Sequence, residues 1–198
     1  MARNALISVW DKTGVVELAK ALHRHNFRLL STAKTADTIR EAGVPVTDIA
    51  EYTGSAEILG GRVKTLHPRI AGGILTTRRD PTIEPIDIVV CNLYPFEAGL
   101  ARGADHNELV ELIDIGGVTL LRAGAKNYAY VTVVPDPSYY PRLVAELDEH
   151  GAISAEMRHE LAARTFEITS RYDAAIARYL ASPRGAILDN PFADGTLL

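Results

Sequence analysis

Asn4–Val9, NALISV, running into Asp11–His25, DKTGVVELAKALHRH, is the stretch that decides the fold. An apolar run of strand length meets a short turn. After Gly14, residues Val15, Leu18, Ala19 and Leu22 recur at the three-or-four-residue step of an amphipathic helix. Phe27–Thr32, FRLLST, repeats the strand signal, and Lys34–Gly43, KTADTIREAG, repeats the helix and closes on a glycine of the C-cap kind. The alternation is βαβα.

Working outward, VPVTDI (44–49), IDIVVCNL (86–93) and YVTVVP (130–135) read as further strands. Their Val/Ile runs suit strands covered on both faces, as in parallel sheets. HNELVELI (106–113) and GVTLLRAGAKN (117–127) fit helices between the last two. The expectation is an α/β architecture, a mainly parallel sheet flanked by helices. YYPRLVAELDEHG (139–151), and a 154–180 segment with Met157, Leu161, Thr165, Ile168, Tyr172, Ile176 and Tyr179 on one face, add a helical C-terminal part of two helices. Residues 1–182 are expected to form one domain, and 183–198, with Pro183, Gly185, Pro191 and Gly195 and no periodicity, an irregular extension.

The chain has 198 residues, 47% hydrophobic and 23% charged, enough to bury a core as one domain. A net charge of -4 argues against a nucleic-acid binder, so any anion site must be local. The single cysteine, Cys91, lies in an apolar run and offers neither a disulfide framework nor a metal spacing. MARNALISVW lacks the long apolar stretch of a signal peptide, and no run approaches the roughly 20 residues that span a bilayer. The chain reads as cytoplasmic, without membrane or metal.

In an open parallel sheet, ligands bind beyond the carboxyl ends of the strands, often against helix N-termini. Two turns fit a phosphate there: SVWDKTG (8–14) with Lys12 and Thr13, and STAKTA (31–36) with Thr32, Lys34 and Thr35. Either turn alone reads equally as N-capping by Asp11, Thr32 or Thr35. Gly61–Leu75, GRVKTLHPRIAGGIL, places Arg62, Lys64 and His67 on a segment whose Pro and Gly residues suit neither helix nor regular strand, and reads as a loop that meets an anion. Asn92 and Tyr94 follow the strongest strand and share its sheet edge. Asp114 precedes Gly116-Gly117, and Lys126 lies at the end of the helix that follows; singly they read as a helix cap and a favourable C-terminal charge.

Together SVWDKTG, EYTG (51–54), GRVKTLHP (61–68), GGIL (72–75), CNLYPF (91–96), IDIGGVTLLRAGAKN (113–127) and YDAAIARYL (172–180) resemble the inosine monophosphate cyclohydrolase domain. That domain is the N-terminal part of the bifunctional purine-biosynthesis enzyme and has a methylglyoxal-synthase-like fold. The resemblance implies closure of the purine ring of 5-formamidoimidazole-4-carboxamide ribonucleotide, with loss of water and no cofactor. It implies that Lys64 stabilises the oxyanion, Tyr94 relays a proton, and Asp114 with Lys126 orients and polarises the reacting groups. Ser8, Trp10, Lys12, Thr13, Gly14, Thr32, Lys34, Thr35, Arg62, Thr65, Cys91, Asn92, Ile115, Gly116 and Gly117 are the implied substrate contacts. The partners it leaves room for are a homodimer and a separate formyltransferase.

Departures bear on the substrate. The family's Ser-x-Gly-Gly-Thr turn is here Thr32-Ala33-Lys34-Thr35, Trp10 replaces a usual Ser, and Ala71 and Ile168 replace usual His residues. The stretch from Leu75 to Ile86 is short for the family, and no formyltransferase domain follows. Two alternatives stay open: a diverged cyclase acting on a purine-like compound, and a non-catalytic module that binds phosphorylated effectors.

Overall fold

In a computed structural model that describes residues 3–182, five strands form one parallel sheet. They are β1 (Arg3–Val9), β2 (Phe27–Ser31), β3 (Thr47–Asp48), β4 (Ile88–Asn92) and β5 (Thr132–Val134), in the order β3-β2-β1-β4-β5. Ala5 pairs with Leu29 on one side of β1 and with Ile88 on the other. The chain steps from β1 to one edge, then returns to β4 on β1's free side. The order of connection therefore reverses between β1 and β4, and loops leaving their carboxyl ends diverge and open a crevice.

The strands are covered on both faces, as their unbroken apolar runs require. Helices α1 (Val15–Arg24), α2 (Ala33–Glu41) and α8 (Tyr140–His150) bury Leu18, Leu22, Ile39, Leu143 and Leu147 against Ala5, Ile7, Leu29 and Val90. On the other face α3 (Ile49–Thr53), α4 (Pro68–Leu75) and α7 (Gly116–Lys126) bury Tyr52, Ile70, Ile74, Leu120 and Leu121 against Leu6, Leu30, Val89 and Val133. The last helix, α9 (Ala155–Leu180), adds Met157 and Leu161 to the first layer and Ala162 to the second. The expected two C-terminal helices are α8 and α9.

Two expectations are corrected. Half of the Gly61–Leu75 loop is helix α4. Pro68 stands at the start, where its fixed φ is preorganised and its missing N–H is not needed, and the His67 Nδ1 accepts the Arg69 N–H at 3.1 Å. The glycines that argued against a helix allow close packing: a Cβ on Gly73 would lie 2.9 Å from the Glu84 carbonyl oxygen. The strand expected over 44–49 shrinks to Thr47–Asp48, because Asp48 accepts the Ala50 N–H at 2.8 Å and starts α3.

The residues up to Tyr94 and Asp114–Thr169 form one compact unit. Among the described residues, Pro95–Ile113 and those from Ser170 to Ser182 form a second, containing α5 (Phe96–Ala101) and α6 (His106–Glu111). Inside it Phe96 packs edge-on to Tyr172 and Tyr179, and His106 stacks on Tyr179 with Nδ1 2.9 Å from the hydroxyl. The extension expected over 183–198 lies outside the described residues.

Candidate active site

The crevice between β1 and β4 is held by one side chain. Asn92, the last residue of β4, accepts the N–H groups of Trp10 and Asp11 on Oδ1 at 2.8 and 2.9 Å, and its Nδ2 donates to the Asp11 carbonyl at 2.9 Å. Asp11 in turn accepts both the N–H and the hydroxyl of Thr13. These bonds lower its pKa, the side-chain bond most. Gly14 caps α1 at φ 68°, a conformation that disfavours any side chain. The turn is rigid, and it presents Trp10, 51% exposed, at the rim. Lys12 curls back, its ammonium 3.3 Å from the Trp10 carbonyl.

The neighbouring turn after β2 begins α2 directly. Ala33 and Lys34 occupy the first helical turn, and neither is among the non-glycine residues with positive φ, which are Asn26, Leu59 and Arg78 among the described residues. Where the resembling family has a glycine cradle, this chain has the N-terminal turn of a nine-residue helix, whose free N–H groups favour an anion. Thr35 is a structural tie: buried, it donates to the Val9 carbonyl at 3.0 Å. Thr32 is also buried, its hydroxyl oxygen 3.4 Å from that of Ser8.

Asp114 lies across the crevice, before α7. Its Oδ1 accepts the Gly117 N–H at 2.6 Å, and the Tyr94 N–H bonds the same carboxylate. Burial raises its pKa above the usual aspartate range, against the opposing pull of those N–H groups and of Lys64. The diglycine is a requirement of packing. A Cβ on Gly117 would stand 2.4 Å from the Asp114 carboxylate, and one on Gly116 would stand 2.8 Å from the hydroxyl of buried Thr65. Ile115, between Asp114 and Gly116, is 61% exposed. Cys91 is buried beneath, its thiol 3.7 Å from the Gly117 carbonyl; burial, and then Asp114, pushes its pKa up.

Lys64 joins two regions. It acts on Asp114, and it lines a cleft of about 220 Å³ with Thr32, Ala33, Asp48, Ile49, Ala50, Ser55 and Glu57. Arg62 lies two residues before it, exposed. The sequence reading missed Asp48, Ser55 and Glu57. A signal existed: Gly60-Gly61 between Ile58 and Val63 marks a tight reversal, and Ile58 and Val63 form an isolated antiparallel bridge that Glu57 and Lys64 flank.

Lys126 is not brought to this group within one chain. It is the last residue of α7, ten residues beyond Gly116 at the helix's start, about 15 Å along the axis at 1.5 Å per residue. Its neighbour Asn127 donates to the Ile74 and Thr76 carbonyls at the C-terminal end of α4.

Residues 14–119 match the family model described as MGS-like domain, and residues 124–194 the one described as AICARFT/IMPCHase bienzyme. The chain is similar to the bifunctional purine biosynthesis protein PurH of Rippkaea orientalis, 53% identical over 191 residues, 90% of this chain and 37% of that one. It is likewise similar to PurH of Persephonella marina, 47% identical over 203 residues, 98% of this chain and 39% of that one. It therefore spans about two fifths of the length of these curated relatives. A solved structure titled "Crystal structure of ForH" superposes with a TM-score of 0.77 at 34% identity, covering 88% of this chain and 95% of that one.

Proposed function

Since the chain belongs to the MGS-like domain family, and its curated relatives are bifunctional purine enzymes, we propose that it is an inosine monophosphate cyclohydrolase. The observation that supports this reading is the Asp114 carboxylate, which accepts the Gly117 and Tyr94 backbone N–H groups, feels the charge of Lys64, and is buried enough to hold its proton more tightly than an ordinary aspartate. In 5-formamidoimidazole-4-carboxamide ribonucleotide the carboxamide nitrogen attacks the formyl carbon. A C–N bond forms, the formyl oxygen takes up negative charge and then a proton, and after a second proton it leaves as water, while the carboxamide nitrogen gives up one of its two hydrogens and the formamido nitrogen gives up its one as the ring C=N bond forms.

Lys64 supplies the cation for the developing oxyanion, and Asp114 orients the amide nitrogen and takes its proton. Tyr94 passes a proton to the departing oxygen. The α2 N-terminus, with Lys34 and Thr32, receives the phosphate. Lys126 reaches such a centre only from a second copy, so a homodimer is part of the reading, as are a separate formyltransferase supplying the substrate and a cytoplasmic location. Ring closure on a purine-like analogue is the second reading, favoured by Trp10 on the rim and by the turn that lacks its glycines.

The test is a spectrophotometric assay of the purified chain with the formylated ribonucleotide. Turnover is expected. Tight binding of inosine monophosphate without turnover would leave an effector-binding module instead.

A further inference from the structure

His67 performs a task that a cation cannot. Its Nδ1 accepts the Arg69 N–H at 3.1 Å, which puts the single proton of the neutral ring on Nε2. An imidazolium has a proton on both nitrogens and loses this bond. The backbone suits the role, since φ -136° and ψ 138° are the extended values that an N-cap takes and that Pro68 imposes on the residue before it.

The bond ties the Lys64 turn to the core. Helix α4 is fixed by Ile70 and Ile74, both buried in the layer that holds Leu6 and Val89. At its start the His67 carbonyl accepts the N–H groups of Ile70 and Ala71, each at 3.0 Å, while the His67 N–H donates to the Thr65 carbonyl at 3.0 Å. Thr65 is buried, its hydroxyl 2.8 Å from where a Gly116 Cβ would stand, so it seats beside the diglycine that follows Asp114. Lys64 precedes it directly, and its charge acts on Asp114. Core, helix start, Thr65 and Lys64 form one series of contacts, and the His67 bond is a link in it that a proton breaks.

Other charges do not replace the link. The segment itself carries Arg62, Lys64 and Arg69. The elements beside it carry Tyr52, under the Arg69 guanidinium, Glu57, close to Gly61, Glu84, which Arg69 binds at 3.2 Å, and Asp114. Among the described residues, no carboxylate pairs with the His67 ring. Resting on the cyclohydrolase reading above, we propose that His67 is a positioning residue for ring closure: as a neutral N-cap it holds the turn that presents Lys64, and its protonation releases that turn. An N-cap corresponds to about 2- to 30-fold in the balance between the ordered and the frayed first turn of a helix. Asparagine caps a helix start as well and does not titrate, so it separates the cap from the charge.

The experiment compares ring closure of the formylated ribonucleotide by the full chain, by His67→Asn and by His67→Ala between about pH 8 and pH 5, the range over which histidine changes charge. Titration of the substrate and of Asp114 affects wild type and His67→Asn alike, so the ratio of their turnover numbers reports His67. That ratio is expected to stand at about 1 at the alkaline end and to fall about 3- to 10-fold at the acid end, with kcat changing more than KM. His67→Ala should turn over about 3- to 10-fold more slowly than His67→Asn at the alkaline end. A ratio that stays constant across the range, or an asparagine variant no faster than the alanine one, overturns the positioning role and leaves the cyclohydrolase reading standing. Should His67→Ala fail to fold, the ratio of wild type to His67→Asn decides by itself. Absence of turnover by wild type at every pH overturns both.

Discussion

Asn92 fixes Trp10: the carboxamide at the end of β4 takes the Trp10 backbone N–H at 2.8 Å and so locks the turn after β1 to the neighbouring strand. Three hydrogen bonds depend on this side chain. Each is worth about 0.5–1.5 kcal/mol net, and solvent reaches this rim. Asn92→Ala should therefore lower stability by about 2 kcal/mol in urea unfolding and weaken nucleotide binding in parallel. Full stability with full affinity would show that the turn holds itself.

In the proposed reaction Lys64 acts on charge that exists only as the ring closes, so its removal should appear in turnover and not in affinity. Lys64→Ala is expected to cut the rate of ring closure about 100- to 1,000-fold. The dissociation constant for inosine monophosphate should change far less. Near wild-type turnover would take Lys64 out of the mechanism.

Asp114 sets function against stability. Its folded-state pKa is raised, so the folded protein binds this proton more tightly than the unfolded chain. The favourable contribution is complete below the unfolded value and disappears as pH rises through the folded one. At neutral pH the ionised, half-buried carboxylate is a burden that asparagine does not carry, and the amide oxygen still accepts the Gly117 N–H. Asp114→Asn should melt no lower than wild type at pH 7 to 8, with its relative advantage shrinking toward pH 4, while ring closure falls about 100-fold or more. A lower melting temperature with intact activity would identify the carboxylate as a helix cap and nothing else.

Lys34 stands in the first turn of α2, where the family motif has glycine. Lys34→Ala should weaken binding of inosine monophosphate by about 3- to 10-fold at low salt and leave inosine unaffected, and the difference should shrink at 1 M salt, where screening acts within about 3 Å. Calorimetry on both compounds decides it. Equal effects on nucleotide and nucleoside would place the phosphate elsewhere.

The layered α/β frame was legible because strands buried on both faces leave unbroken apolar runs, as at Ile88–Cys91, and because α1 shows its buried stripe at helical spacing. Asp114, Tyr94 and Lys64 were legible through motifs. Helix α4 was not, since PRIAGGIL carries residues of low helix propensity that tertiary packing retains for close contact. His67 belongs with it, a capping acceptor rather than a third cation. Glu57 escaped because its relation to Lys64 comes from a short antiparallel bridge, which neither a 3.6-residue nor a two-residue period reveals. The far position of Lys126 follows from the length of α7, which the sequence contained but the motif obscured.

Trp10 and Asn92 meet although 82 positions separate them along the chain. Bringing such distant partners together costs loop-closure entropy before any contact between them returns it, and parallel strand pairing of this kind is intrinsically slow. The crevice cannot be assembled before β4 docks on β1, by which stage most of the first layer has already been synthesised. Formation of the candidate site is thus a late event in the life of the chain: during refolding it returns with the phase that docks β4 on β1, behind any recovery of helical signal, and an early collapsed state lacks the site however compact it has become.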